Sequence, residues 1–336
     1  MRRPWTRLTA QADFGFGKGS YPLAVVLALT LGVVLIGCIE TGHPEFGGPL
    51  ALGFVLTAVP TLDPRFGDGL RTIVVRGSTG LAASAVAVAL LQQGVPTGPL
   101  IVAVAALGTR TRTAASTPAL AVVLTVTAFA HRASVDYWSF VLLYGGGTIL
   151  VASMFAVFGA CRARRRHATN GSAALVEAER LRDYSYTTAM TIGVGIAVSV
   201  QALLPVGWEG GHWLITCVIL TLQSSPAATR QRLWKRLAGN AVGALIAGVV
   251  LAAAPVPVVA VAVVSVLFFV AFALRPVDYF WWAVAAPPLL LLTGTFPHLY
   301  PWYEGGVRLV MNVAGAMIVV LVAFAGPTLI GRARER

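Results

Sequence analysis

The sequence predicts an all-α integral membrane protein with about twelve transmembrane helices in two parallel six-helix repeats. Three observations carry that prediction. The first is composition: 57% of the 336 residues are apolar and 11% charged, and the mean hydropathy is +0.78, so there is too little charge to cover a soluble domain of this length. The second is pattern, because apolar runs near membrane-spanning length recur from Tyr21 to Ile330 and polar residues collect in short bursts between them. The third is an alternation of basic charge, set out below. The first two exclude a disordered chain and a soluble enzyme.

The first span runs from Tyr21 to Ile39 and stops at Glu40. The second, Gly48 to Leu62, opens on a double glycine and is broken near its end by Pro60 and Pro64. The third, Thr72 to Leu91, follows a basic loop and carries Gly77 and Gly80. The fourth, Val95 to Thr109, lies between a Gly-Val-Pro turn and Arg110, and the fifth runs from Ala114 to Ala130. Asp136 and the run from Arg162 to Arg166 bracket the sixth, Tyr137 to Ala160. The seventh, Tyr184 to Leu204, ends before Pro205, and the eighth, His212 to Ser225, again starts after a double glycine and stops at Pro226. The ninth, Leu237 to Ala254, follows a second basic loop. Prolines before it and Arg275 after it bound the tenth, Val258 to Leu274. The eleventh runs from Tyr279 to Thr295 and the twelfth from Gly305 to Ile330. The second, fourth and eighth fall short of the roughly 20 residues that cross a bilayer.

With the N-terminus inside, this order places 23 of the 25 Lys and Arg residues on the cytoplasmic side and only Arg132 and Arg308 on the other. The excess orients the helices and puts both termini in the cytoplasm, so the net charge of +12 is topological and implies no nucleic-acid partner. Arg outnumbers Lys 23 to 2, the usage of a GC-rich bacterial genome, and the expected location is the bacterial plasma membrane. The organisation is then residues 1–160 as a first repeat, 161–183 as a cytoplasmic linker and 184–336 as a second repeat. The linker's AALVEAERLRD stretch reads either as a helix on the membrane surface or as a solvated connection. Cys38, Cys161 and Cys217 sit alone in apolar context, no metal-ligand spacing occurs, and no cofactor is expected.

The stretch from Gly47 matches that from Gly210: each has the double glycine, a short span broken near its inner end by proline, a basic inner loop and a glycine-bearing next span. Within the second copy, His212 to Val250 resembles the signature of the fusaric-acid-resistance-like family of integral membrane transporters, which includes aromatic acid exporters. The matching helix start is Arg236, Gly239, Asn240 and Gly243. Many members of that family carry a large cytoplasmic domain, and this chain has only the linker.

The candidate substrate path comprises Arg76, His212, Trp213, Thr216, Gln223, Arg236, Asn240, Arg308 and Asn312. Arg76 and Arg236 open corresponding spans and read either as interfacial anchors above a close helix crossing or as a vestibule that gathers anions. Short spans broken at matching places line cavities in transporters, so Thr57, Thr61, Thr216, Thr221, Gln223 and Ser224 are lining candidates, although threonine also satisfies its own helix backbone. His212 and Trp213 read as an interfacial anchor or as an aromatic platform. Arg308 and Asn312 lie one turn apart after Glu304, which makes Arg308 either half of an ion pair or a relay for anions. No carboxylate falls at mid-membrane depth and no catalytic motif occurs, so no enzyme is expected. The family resemblance implies a transporter exporting small organic anions, aromatic carboxylates first among them. A passive anion channel, similar to distant plant channels, and a membrane scaffold for an envelope machine are the alternatives. The expected partners are the anion and the lipid bilayer, and a homo-oligomer is compatible with the sequence.

Overall fold

A computed structural model describes residues 21–58, 66–111, 116–130, 135–165, 184–205, 210–275 and 277–325. Among these residues the chain is all helical. The first six helices are α1 (Tyr21–Glu40), α2 (Gly47–Ala58), α3 (Phe66–Gln92), α4 (Gly98–Gly108), α5 (Thr117–Ala130) and α6 (Tyr137–Arg165). The next six are α7 (Tyr184–Leu203), α8 (Gly211–Thr221), α9 (Pro226–Ala252), α10 (Pro257–Leu274), α11 (Tyr279–Thr293) and α12 (Glu304–Val320), which ends in a π turn, Leu321–Ala325. The predicted twelve segments and their order are therefore present. The surface-helix reading of the linker, the Pro60 and Pro64 break with Thr61, and both chain ends lie outside the described residues.

Seven of these helices, α1, α3, α6, α7, α9, α10 and α12, are long and apolar enough to cross a membrane, and the chain is a multi-pass membrane protein. The other five run 11 to 15 residues. At 1.5 Å per residue the shortest covers about 17 Å of a hydrocarbon core about 30 Å thick. Four of the five escape the consequence because they are wrapped in protein. Every described side chain from Gly47 to Ala58 is buried except Leu50, and α8 is buried except at Leu220; α5 and α11 are buried along most of their length. Short helices survive at membrane depth only where other helices or a cavity, and not lipid, meet their ends.

The same neighbour relations recur in the two sets of six. In the first, α2 packs on α6, α3 on α5 and α6, and α4 on α5; in the second, α8 packs on α12, α9 on α11 and α12, and α10 on α11. Contacts between the sets are matched too: α1 lies on α10 as α7 lies on α4, and α2 touches α11 as α8 touches α5. A glycine sits at each of two corresponding crossings. A Cβ at Gly147 of α6 would collide with the Leu50 carbonyl of α2, and one at Gly315 of α12 would lie 2.9 Å from the Leu214 carbonyl of α8. Backbones this close gain dispersion contacts that larger side chains would prevent.

One boundary departs from expectation in a way that matters. Helix α9 begins at Pro226, eleven residues before the predicted Leu237, and α3 begins at Phe66 rather than Thr72. Ser225 accepts a hydrogen bond from the Ala228 N–H at 3.2 Å and Pro226 follows at the first helical position, a strong helix start. Arg230, Arg232, Lys235 and Arg236 are therefore helical and not a loop. Their charge lowers the local hydropathy and so hides three turns of helix.

Gly147→Val is expected to cost about 3 kcal/mol or more through overpacking and to lower the thermal midpoint of the detergent-solubilised protein. Gly195→Ala, where an added Cβ meets nothing within 4 Å, should leave that midpoint unchanged or slightly raised. Equal midpoints for the two variants would show that the α2–α6 crossing is not tight.

Candidate functional site

Because α8 is short, its chain leaves the helix partway and runs extended from Leu222, with φ −61° and ψ 133°, to the Ser225 cap. The carbonyls freed there are taken by side chains. Leu220 accepts from Arg232 Nε at 3.2 Å, and Leu222 accepts from Gln223 Nε2 at 2.7 Å and from the Tyr186 hydroxyl at 3.4 Å. Beside this break, between the two sets of six helices, lies a cavity of about 450 Å³. Its lining includes exposed residues, Thr111 and Ser224, and deeply buried ones such as Arg308, only 1% exposed.

Five arginines face this cavity, Arg76, Arg232, Arg236, Arg275 and Arg308, and no Asp or Glu is among its described lining residues. Aromatic side chains meet four of these guanidinium groups. The Arg232 guanidinium carbon lies 3.5 Å above the ring of Tyr279, whose hydroxyl in turn accepts from Arg236 Nη1 at 3.1 Å. Arg275 lies 5.2 Å from the Trp282 ring centre and Arg308 3.8 Å from that of Trp213. A π face attracts a cation without neutralising it. The nearby carboxylate, Asp278, is engaged otherwise: one oxygen caps α11 through the Phe280 N–H at 2.7 Å and the other receives Lys235 Nζ at 2.6 Å.

Two polar ladders meet beyond the break. On α9, Arg232, Arg236 and Asn240 follow at intervals of four and share one face; on α12, Glu304, Arg308 and Asn312 do the same. The ladders join where Asn240 Nδ2 donates to Asn312 Oδ1 at 2.8 Å. Asn312 Nδ2 donates to the Arg308 carbonyl at 2.7 Å, and Cys217 Sγ donates to the Asn312 carbonyl at 3.3 Å. Gly305 packs on Ala244 and Gly248, so α9 and α12 run antiparallel. The Nε atoms of Arg236 and Arg308 are buried and make no hydrogen bond, and Arg308 Nη1 donates to the Pro287 carbonyl at 3.4 Å.

Of the nine sequence-derived candidates, Arg76, Thr216, Gln223, Arg236 and Arg308 line the cavity. Arg236 is 2% exposed, which excludes its reading as an anchor at the lipid surface. Asn240 and Asn312 are buried behind the lining and hold α9 to α12. His212 and Trp213 do not line the cavity. Trp213 is 2% exposed and supports Arg308, so it is neither a lipid-facing anchor nor an open platform. Thr216 lines the wall while its hydroxyl bonds the His212 carbonyl at 2.8 Å. Thr57 and Thr221 face other helices or Cys217 instead. The sequence reading missed Arg275, Tyr279 and Trp282 as site residues. Their only signal is the Asp-capped aromatic start of α11.

The corresponding position in the first six helices is apolar. Counting back from the crossing glycines, α12 presents Asn312 and Arg308 where α6 presents Tyr144 and Phe140. Gly53 approaches the Tyr144 carbonyl as Cys217 approaches that of Asn312. Residues 184–322, the part of the chain that carries both ladders, match the family model described as fusaric acid resistance protein-like. No curated protein and no solved structure matches the chain.

Asn312→Leu leaves the buried Asn240 amide without its acceptor and is expected to destabilise the detergent-solubilised protein by about 2 kcal/mol. The double variant Asn240→Leu/Asn312→Leu should cost less than the sum of the two single changes. Strict additivity in a thermal-stability cycle would mean that the amides are not coupled.

Proposed function

Since residues 184–322 belong to the fusaric acid resistance protein-like family, a family of membrane transporters, we propose that this protein exports small organic anions across the bacterial plasma membrane, aromatic carboxylates among them. One observation carries the choice of substrate charge: a cavity lined by five arginines and, among the described residues, no carboxylate. Its volume of about 450 Å³ falls in the range of small-molecule sites, roughly 300–1,000 Å³. Trp282 and Tyr186 in the wall suit a planar ring. We further propose that all twelve helices cross as two parallel repeats with both termini cytoplasmic. The recurring neighbour relations support the repeat, and the 23 to 2 distribution of basic residues supports the orientation. The basic end of the cavity then opens to the cytoplasm, where Arg76, Arg232 and Arg275 meet an anion first and Arg308 meets it last.

A passive anion pathway is the second reading, favoured by the lack of a carboxylate in the lining. Flux of radiolabelled benzoate into inverted vesicles separates the two: collapse of the proton gradient abolishes net accumulation by a coupled exporter and leaves passive equilibration intact.

Arg236→Gln removes one buried charge and keeps the shape of the helix. It is expected to weaken apparent affinity about fivefold, corresponding to roughly 1 kcal/mol, a deficit that added salt changes little because the charge is buried. Arg232→Gln should do less, because Arg232 is half-buried and lies nearer the mouth. Arg230→Gln, at an exposed position on the same helix, should leave flux unchanged. Normal benzoate flux in correctly inserted Arg236→Gln protein would reject the cavity as the anion path.

A further inference from the structure

Arg308, only 1% exposed, lines the cavity, and the next residue up its ladder is Glu304. Glu304 is 7% exposed, which is unusual for a carboxylate in a membrane helix, and it shares the buried stripe of α12 one turn from Arg308. The arginine therefore lines the cavity and has a carboxylate of the protein one turn away along its own helix. We propose that Glu304 is a proton site linked to anion binding: its carboxylate and the bound anion compete for Arg308, so protonation of Glu304 frees the guanidinium and anion affinity rises as pH falls.

This inference rests on the anion reading of the cavity given above and adds the coupling group that the lining lacks. The other titratable or charged groups around Arg308 are few. Arg236 approaches from α9, Cys217 and His212 from α8, and Tyr300 from the segment before α12. Among the described side chains, the titratable groups of α7 and α11 are tyrosines: Tyr186 bonds the Leu222 carbonyl and Tyr279 accepts from Arg236. Arginines stay charged throughout the accessible range, which leaves Glu304 and His212 as the groups able to change charge between mildly acid and mildly alkaline conditions. Linkage runs both ways, so an anion that takes Arg308 leaves Glu304 charged and buried, and the carboxylate takes up a proton.

The test uses the full chain in lipid nanodiscs with salicylate, whose carboxyl is ionised throughout, titrated at about pH 5.5 and about pH 8 at constant salt. Wild type is expected to bind on the order of tenfold more tightly at the lower pH and to take up protons from a weakly buffered solution on binding. Glu304→Gln, which mimics the protonated side chain, should show the tighter affinity at both pH values and no proton uptake. Glu304→Asp should restore the pH slope, and His212→Gln should retain it. Equal wild-type affinity at the two pH values, or a slope that persists in Glu304→Gln, overturns the proton site and leaves the anion cavity standing. Failure of wild type to bind salicylate at either pH overturns the anion cavity and this inference with it.

Discussion

Burying several guanidinium groups together in a membrane protein is costly unless something offsets the lost hydration, and the usual offset is a carboxylate. Here aromatic faces and main-chain carbonyls contribute to that offset. Tyr279 holds Arg232 on its ring and Arg236 on its hydroxyl, Trp213 carries Arg308, and Trp282 lies under Arg275. The unwound end of α8 supplies the Leu220 carbonyl. The rest of the site depends on this choice. A carboxylate partner cancels the charge of a guanidinium, whereas a ring partner leaves it in place. The same constraint explains why the break in α8 and the aromatic start of α11 occur at one level, since each supplies contacts that the arginines of α9 need.

The two sets of six helices share their packing and not their chemistry. The crossings marked by Gly147 and Gly315 are alike, yet Phe140 and Tyr144 stand where Arg308 and Asn312 stand. The cavity wall, which combines Arg76 from one set with residues of the ladders in the other, is therefore asymmetric although the neighbour relations of the two sets match. That asymmetry fits a site that holds one anion in one orientation better than a site that holds two equivalent ones.

Much of this was legible in the sequence because it follows from local rules. Helix number and order came from apolar runs and turn residues, and Arg236 with Gly239, Asn240 and Gly243 could be picked out as a unit. Two kinds of information were not local. The start of α9 was hidden because its arginines dilute the hydropathy of its first turns, and the Ser225-Pro226 start was read as an end. The aromatic cradle depends on pairs such as Arg236 and Tyr279, 43 positions apart, that only the packing of α9 on α11 brings together. Trp213 shows the same limit from the other side: its place near a helix start suggested the lipid interface, whereas the position of α8 inside the bundle puts it in the core.

The short central helices carry a consequence for the surrounding lipid. A protein accommodates a bilayer that is too thick or too thin by tilting, kinking or shifting the helices in contact with acyl chains, at fractions of a kcal/mol per Å. In this chain exposed apolar residues such as Leu29, Val33, Leu142, Ile149, Leu245 and Val249 belong to α1, α6 and α9, while α2 and α8 are enclosed. Hydrophobic mismatch is therefore absorbed by the outer helices. The enclosed α8, which ends at the break beside the arginines, has no acyl chains to match, so membranes of different thickness can surround the same cavity.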